Sequence, residues 1–334
     1  MSTLKEIWIF AECGEHGAAD VTLELLGEGL QLAEKSGFAL GAVLLTDQPR
    51  PEVEQDLIKH GAKKVYRITD EKLTDYQNDF YAQALKQLIE KQRPEIMLFG
   101  ATDIGRCLAP TVAALTETGL TADCTALDFD SEMELLIQTR PAFGGNIMAS
   151  IICPEHRPQM ATVRAHVFSK APLQDNQGEV IEVAVDLSGR KNRLRKVESI
   201  KLQDKGVNLH AANYIVSGGR GLGAKENFDL IRNLAEEFGG AVGASRPVID
   251  MGWIEHHHQV GQTGNTVSPT VYIACGISGA IQHLAGMQTS DVIIAVNKDP
   301  DAPIFDVADY QLVGDLHDIV PALTEQLRSL KSES

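Results

Sequence analysis

Ser217-Gly218-Gly219-Arg220-Gly221-Leu222-Gly223 follows directly on Asn213-Tyr214-Ile215-Val216, a short apolar run that reads as a buried strand. After it, residues 224–238 place Phe228, Ile231, Leu234 and Phe238 at helical spacing. A strand, a glycine turn and a helix in succession are the parts of a phosphate cradle. Glycines let the backbone approach an anion, and the N–H groups and dipole at a helix start favour negative charge. Arg220 adds a guanidinium inside the turn. The glycines fall at 218, 219, 221 and 223, which departs from the G-x-G-x-x-G spacing of a dinucleotide fingerprint. On its own the stretch therefore reads equally as a tight structural turn or as an anion site.

The residues downstream repeat the theme. Residues 240–244 read as a strand that ends in Ser245-Arg246-Pro247. Residues 269–275 read as another, followed at once by Gly276-Ile277-Ser278-Gly279-Ala280-Ile281-Gln282-His283. Residues 291–296 form a third and end at Asn297-Lys298-Asp299-Pro300, and Ile319, Leu323 and Leu327 mark one face of a last helix. Four successive strand ends thus carry polar, glycine-rich or arginine-bearing loops. In a doubly wound sheet these ends share one edge, where ligands bind. The ligand they suit is long, anionic at its middle and rich in hydrogen-bonding groups, as a dinucleotide is.

Upstream, strands and helices alternate. Residues 6–10, 39–45, 64–68 and 95–99 read as strands. Helices run between them, one stopping near Gly37, one from Pro51 to a glycine cap at Gly61, one with Phe80, Ala84 and Leu88 on one face. Apolar strands alternating with amphipathic helices imply a parallel sheet covered on both sides. The loop from Gly100 to Arg106 reads as a strand-to-helix connection with Thr102 or Asp103 as N-cap. From Cys124 to about Val197 short strand-like runs alternate at 135–139, 147–152, 160–163 and 180–185, separated by turns that include Gly144-Gly145-Asn146. They imply an antiparallel or irregular β extension of the first domain. The basic stretch from Ser188 to Lys196 reads as a solvated loop. The domain boundary is expected near residue 206, giving domains 1–205 and 206–334.

The chain has 334 residues, a length that suits two domains. Its formal net charge is −16, and its pI is about 5.0. That balance disfavours nucleic acid and anionic membrane as partners. Five scattered cysteines, none in a C-x-x-C pair, suit a reducing compartment. No signal-peptide core and no run of membrane-spanning length is seen, so a cytoplasmic location is expected. His256-His257-His258 invites a metal, but no Cys or carboxylate cluster completes a site, and none is expected. Cys275 reads as a buried strand residue. No catalytic triad, paired carboxylates or Walker sequence can be assigned.

The motifs 216–221, 242–246, 259–264, 276–287 and 297–300 together resemble the large (alpha) subunit of electron-transfer flavoprotein, in the family's order and spacing. The resemblance implies an α/β chain: an N-terminal parallel-sheet, nucleotide-binding-like domain with the β extension, and a C-terminal doubly wound domain that binds FAD. It implies that Arg220, Ser245, Arg246, the run Val260, Gly261, Gln262 and Thr263, and the run Ser278, Gly279, Ala280, Ile281, Gln282 and His283 contact the cofactor. Asn297, Asp315 and Leu316 are implied at its adenosine end, and Arg246, Thr263 and His283 around the flavin ring. A cationic or hydrogen-bonding group there, His283 or Arg246, would stabilise the negative charge that one-electron reduction places on the ring. The resemblance further implies a heterodimer with a small (beta) subunit carrying AMP or a second FAD. Its exchange partners would be an acyl-CoA dehydrogenase of fatty acid beta-oxidation or a related flavoenzyme, and a quinone oxidoreductase or ferredoxin. The second domain would swing about the linker. Trp253-Ile254-Glu255-His256 is associated with anaerobic, electron-bifurcating members, so both a plain carrier and an NADH-oxidising bifurcating type stay open. Two other classes remain beside it: an NAD-dependent dehydrogenase, which needs a catalytic acid or base that the sequence does not offer, and a nucleotide-binding regulatory module.

Overall fold

A computed structural model of the chain describes residues 3–14, 17–142, 147–189, 194, 196–198, 209 and 212–332. It divides into two compact units, one carrying the described residues up to 198 and the other those from 209 on. The boundary expected near 206, the turn expected at residues 144–146 and most of the basic stretch lie outside the described residues.

The first unit runs β1 (Leu4–Phe10), α1 (Asp20–Ser36), β2 (Ala39–Thr46), α2 (Pro51–Lys59), β3 (Lys64–Thr69), α3 (Asn78–Gln92), β4 (Pro94–Gly100), α4 (Asp103–Leu115), β5 (Leu120–Cys124), β6 (Ala126–Asp130), β7 (Leu135–Ala142), β8 (Ile147–Ile151), β9 (Gln159–Val163) and β10 (Glu179–Glu182). Seven strands form one sheet in the order β10-β3-β2-β1-β4-β9-β5, with every neighbouring pair parallel. Alternation along β1 builds its two faces. Ile7 and Ile9 pack with Leu25 and Leu57 of α1 and α2, and Trp8 and Phe10 with Leu85 and Leu108 of α3 and α4. Glu6 is buried beneath the sheet because three donors satisfy it: Trp8 Nε1 at 2.7 Å, Tyr66 Oη at 2.8 Å and Lys64 Nζ at 2.7 Å. Thr102, not Asp103, caps α4, its Oγ1 accepting from the Gly105 N–H at 3.0 Å.

The β extension is smaller than its sequence suggests. Strands β6, β7 and β8 form a separate antiparallel sheet. The runs at 160–163 and 180–185 do not belong to it. They become β9, inserted between β4 and β5, and β10, added parallel beside β3. Short apolar runs carry no label for parallel or antiparallel pairing, and β9 is buried along its whole length, as an interior parallel strand must be.

The second unit runs β11 (Tyr214–Gly218), α5 (Phe228–Phe238), β12 (Ala241–Ala244), α6 (Arg246–Asp250), β13 (Val271–Cys275), α7 (Ile281–Leu284), β14 (Val292–Asn297), β15 (Tyr310–Val313) and α8 (Leu316–Ser332). Its five strands are all parallel, in the order β12-β11-β13-β14-β15. On one face α5 and α8 bury Phe228, Ile231, Leu234 and Val320 against Val216 and Ile273. On the other, Val260, Val267, Ile277, Met287, Ile304 and Phe305 come from loops and single turns and cover Ile215, Tyr272 and Ala295. The helix expected from Ala224 begins only at Phe228. Gly223 takes a φ of +78°, and two 3₁₀ turns precede α5.

Glu28 of α1 is 5% exposed. Burial pushes its carboxyl up to about 7 from 4.5, with Lys35 opposing and Asp128 adding to the shift. The folded chain therefore holds this proton more tightly than the unfolded chain does. Its contribution to stability falls as pH rises from 4.5 to about 7 and is constant above. Denaturant unfolding should show a loss on the order of 2–3 kcal/mol through this group across that window. Glu28→Gln should remove that part of the slope; an identical pH profile in the variant would contradict the assignment.

A cationic cleft at the switch point of the second sheet

From β11 the chain crosses through α5 to β12 on one side, then returns to β13 on the other side of β11. This reversal leaves a crevice beyond the carboxyl ends of β11 and β13, the place where open parallel sheets receive ligands. Two glycine loops meet there. The Gly219 N–H donates to the Cys275 carbonyl at 2.9 Å and the Gly221 N–H to the Gly276 carbonyl at 2.9 Å, so the pairing of β11 with β13 continues past the strands. A Cβ on Gly221 would stand 2.7 Å from Gly276 Cα, and one on Gly219 would stand 2.4 Å from the Gly276 oxygen. The unusual glycine spacing is explained by this backbone contact between loops.

The crevice is a cleft of about 780 Å³. Arg220 and Gly221 enter from β11, Ser245 to Pro247 and Asp250 from β12, residues 276–278 and Ala280 from β13, and Asn297 to Asp299 from β14. A fifth wall, Gln259 to Thr263, is held by its backbone. Val260 N–H donates to the Ala244 carbonyl at 2.9 Å, Gly261 N–H to Asn265 at 3.0 Å and Gln262 N–H to Gln282 at 2.7 Å. Gln259 Nε2 donates to Thr263 Oγ1 at 3.0 Å, which fixes that hydroxyl. Asn297 is fixed likewise, its Nδ2 donating to the Ile277 carbonyl at 2.9 Å.

The charges are favourable for an anion. Arg220, Arg246 and Lys298 outnumber Asp250 and Asp299 in the lining. Arg246 Nε lies 3.5 Å from Asp250, with both side chains about two-thirds exposed at 65% and 64%. Such an ion pair contributes little, and the guanidinium is free to turn toward a ligand. His283 enters differently. It is 6% exposed, and burial pushes its imidazole down to about 4 against an opposing pull from the Val260 carbonyl. At neutral pH it is uncharged, so its contribution is hydrogen bonding and shape.

Of the residues implied for the cofactor, Gly279, Ile281, Asp315 and Leu316 lie outside the lining and all the others are in it. Gly279 makes the turn behind the cleft, and Ile281 is half exposed on α7. Asp315 spends its Oδ1 on the His317 N–H at 2.9 Å, and Leu316 is buried under Gly276. The start of α5 is likewise not part of the lining, so the first half of the expected phosphate cradle is a loop without its helix. Asp250, Lys298 and Asp299 went unassigned in the sequence; the four-residue spacing from Arg246 to Asp250 was the available signal. In the histidine run, His258 Nδ1 bonds the Val242 carbonyl at 2.6 Å, and the His257 ring lies against it, tilted by 38° with 4.2 Å between centroids. Glu255 and His256 are not in the lining.

Residues 7–188 match the family model for the electron transfer flavoprotein domain, and residues 208–288 match that for the electron transfer flavoprotein FAD-binding domain. The chain is 50% identical over 332 residues to the electron transfer flavoprotein subunit alpha of Thermoanaerobacterium thermosaccharolyticum, covering 99% of this chain and 100% of that one. It is 49% identical to the subunit of the same name from Megasphaera elsdenii, covering 99% and 98%. It is 42% identical to the acryloyl-CoA reductase electron transfer subunit beta of Anaerotignum propionicum, covering 99% and 98%.

Two glycines test the walls. Gly223 has a φ of +78° and a ψ of −36° with open space around it, so Gly223→Ala should cost about 1–3 kcal/mol, from backbone strain alone. Gly279 has a φ of +86°, and a Cβ there would lie 2.2 Å from Ile304 N. Gly279→Ala should cost about 2–4 kcal/mol in denaturant unfolding. Equal losses would contradict the packing described.

Proposed function

The chain belongs to the electron transfer flavoprotein family, among its alpha subunits, and from that premise we propose that the cleft of the second unit holds FAD. The observation that carries this reading is a 780 Å³ cleft at the sheet's switch point, lined by a surplus of cations in a chain of net charge −16. Bound FAD supplies one-electron and two-electron chemistry that side chains lack.

The residues present fit such a ligand. Arg220 stands in the glycine loop with no ion pair among the described residues, and it would neutralise the pyrophosphate. Lys298 adds a second positive charge beside Asn297, whose amide meets polar edges at the far end. Ser245, with no side-chain capping bond of its own, and the fixed Thr263 hydroxyl would hydrogen-bond the ring. Arg246 would set the local potential, because its weak partner leaves its charge available. His283 would meet the ring as a neutral group. Gly221 and Gly276 exclude water from beneath the ligand by their close contact.

In this reading the chain works as one half of a heterodimer. A small subunit closes the site, and electrons pass between an acyl-CoA-linked flavoenzyme and a second redox protein. The relative named as an electron transfer subunit of acryloyl-CoA reductase supports a partner of that class. The reading extends to bifurcation through residues 253–256. Reconstituted heterodimer should then oxidise NADH only when two acceptors are both present. Oxidation with one acceptor alone limits the protein to simple transfer.

Arg246→Ala should weaken FAD retention roughly tenfold to a hundredfold, the worth of a charge-assisted contact. It should also make the flavin harder to reduce. Flavin release followed by absorbance, with a redox titration, checks both; unchanged retention and potential would remove Arg246 from the site.

A further inference from the structure

His283 is bonded from behind. Its Nε2 lies 3.0 Å from the hydroxyl oxygen of Tyr272, which sits on β13 with no exposure at all. The ring centroids are 6.1 Å apart at 59°, so the two meet through their polar tips and do not stack. Around them Ile215, Ala274 and Met287 of the same core offer no side-chain polar group. Ser217 is the exception. It is fully buried, close enough to ease the deprotonation that burial resists in Tyr272, and its Oγ makes no well-formed hydrogen bond among the described residues. His283 Nδ1 is also buried without a well-formed partner there, and the polar group acting on the ring besides Tyr272 is the Val260 carbonyl.

Proton counting selects one arrangement. A neutral imidazole has one donor and one acceptor, a phenol one donor, and a carbonyl accepts only. Were Nε2 protonated, it would donate to the Tyr272 oxygen and the Nδ1 lone pair would stay buried with no donor to meet it, an uncompensated cost. With the proton on Nδ1, the bare Nε2 accepts the Tyr272 O–H at 3.0 Å, and the ring keeps a donor for the Val260 carbonyl that acts on it. We propose that Tyr272 is a positioning residue for the cleft: its hydroxyl donates to His283 Nε2, locks the imidazole in the Nδ1–H tautomer and fixes the ring's orientation. The assignment of a role in electron transfer rests on the reading of the cleft as a flavin site. Its consequence is chemical. A His283 whose basic lone pair is already taken by an O–H is no proton acceptor, so electrons can pass the cleft without this ring changing charge.

The test is histidine nitrogen NMR on the protein as purified, with its accompanying subunit, the His283 signals being assigned by their loss in His283→Asn. Long-range nitrogen–proton correlation separates protonated from bare ring nitrogens. The expected wild-type result is a single tautomer with Nδ1 protonated and Nε2 bare. In Tyr272→Phe, which keeps the ring that fills the core, the bare Nε2 signal should move to the position of an imidazole nitrogen with no hydrogen bond, and the visible flavin band should shift. A wild-type Nε2–H tautomer, an averaged wild-type signal, or an unchanged pattern in Tyr272→Phe would each overturn the proposal, and the first two need no variant to fold. A colourless wild type that still shows the locked tautomer would overturn the flavin reading and leave the Tyr272–His283 assignment standing.

Discussion

The contact of Gly219 and Gly221 with Gly276 is the constraint on which the site depends. Three positions without side chains let the loops after β11 and β13 continue a strand pairing beyond the sheet. The floor of the cleft at this contact is therefore backbone. Larger residues at 219 or 221 would pry the loops apart and carry Arg220 away from Ser278 and Asn297. The parallel order β12-β11-β13-β14-β15 places this contact at the point of reversal, so the topology and the glycines serve one opening.

Electrostatics then divides the labour. The chain carries a net charge of −16, which repels anions at long range. The cleft reverses the sign locally with solvent-exposed cations, Arg220, Arg246 and Lys298, beside uncharged groups fixed by hydrogen bonds, exposed at Thr263 and buried at His283. Arg246 is loosely paired, whereas Thr263, Asn297 and His283 are each held by a partner. Mobile charge can follow a ligand whose own charge changes; fixed neutral groups hold the ligand in register. This is the division expected of a protein that binds a redox group and leaves the chemistry to it.

Much of this was legible in the sequence because the signals were local. Runs such as Ile7 to Phe10 alternate between two helical layers, and loops at successive strand ends need only a parallel sheet to converge. What escaped was non-local. The runs at β9 and β10 could not reveal that they join β4 and β3, since pairing partners far apart leave no mark on a short apolar segment. The start of α5 was misplaced because Gly223 and two 3₁₀ turns interrupt an otherwise helical pattern. Leu316 and Gly279 support the cleft from behind, a distinction between lining and backing that depends on depth and not on motif. Tyr272 looked like one apolar strand residue among several, and only the fold shows its hydroxyl meeting His283.

Whether the flavin lies in the cleft of the second unit is decided by a crystal structure of the flavin-loaded protein with its partner subunit. Density for the isoalloxazine ring and pyrophosphate is expected between Arg220, Arg246 and the loop from Gln259 to Thr263. Flavin density confined to the partner subunit, with this cleft filled by solvent alone, would contradict it.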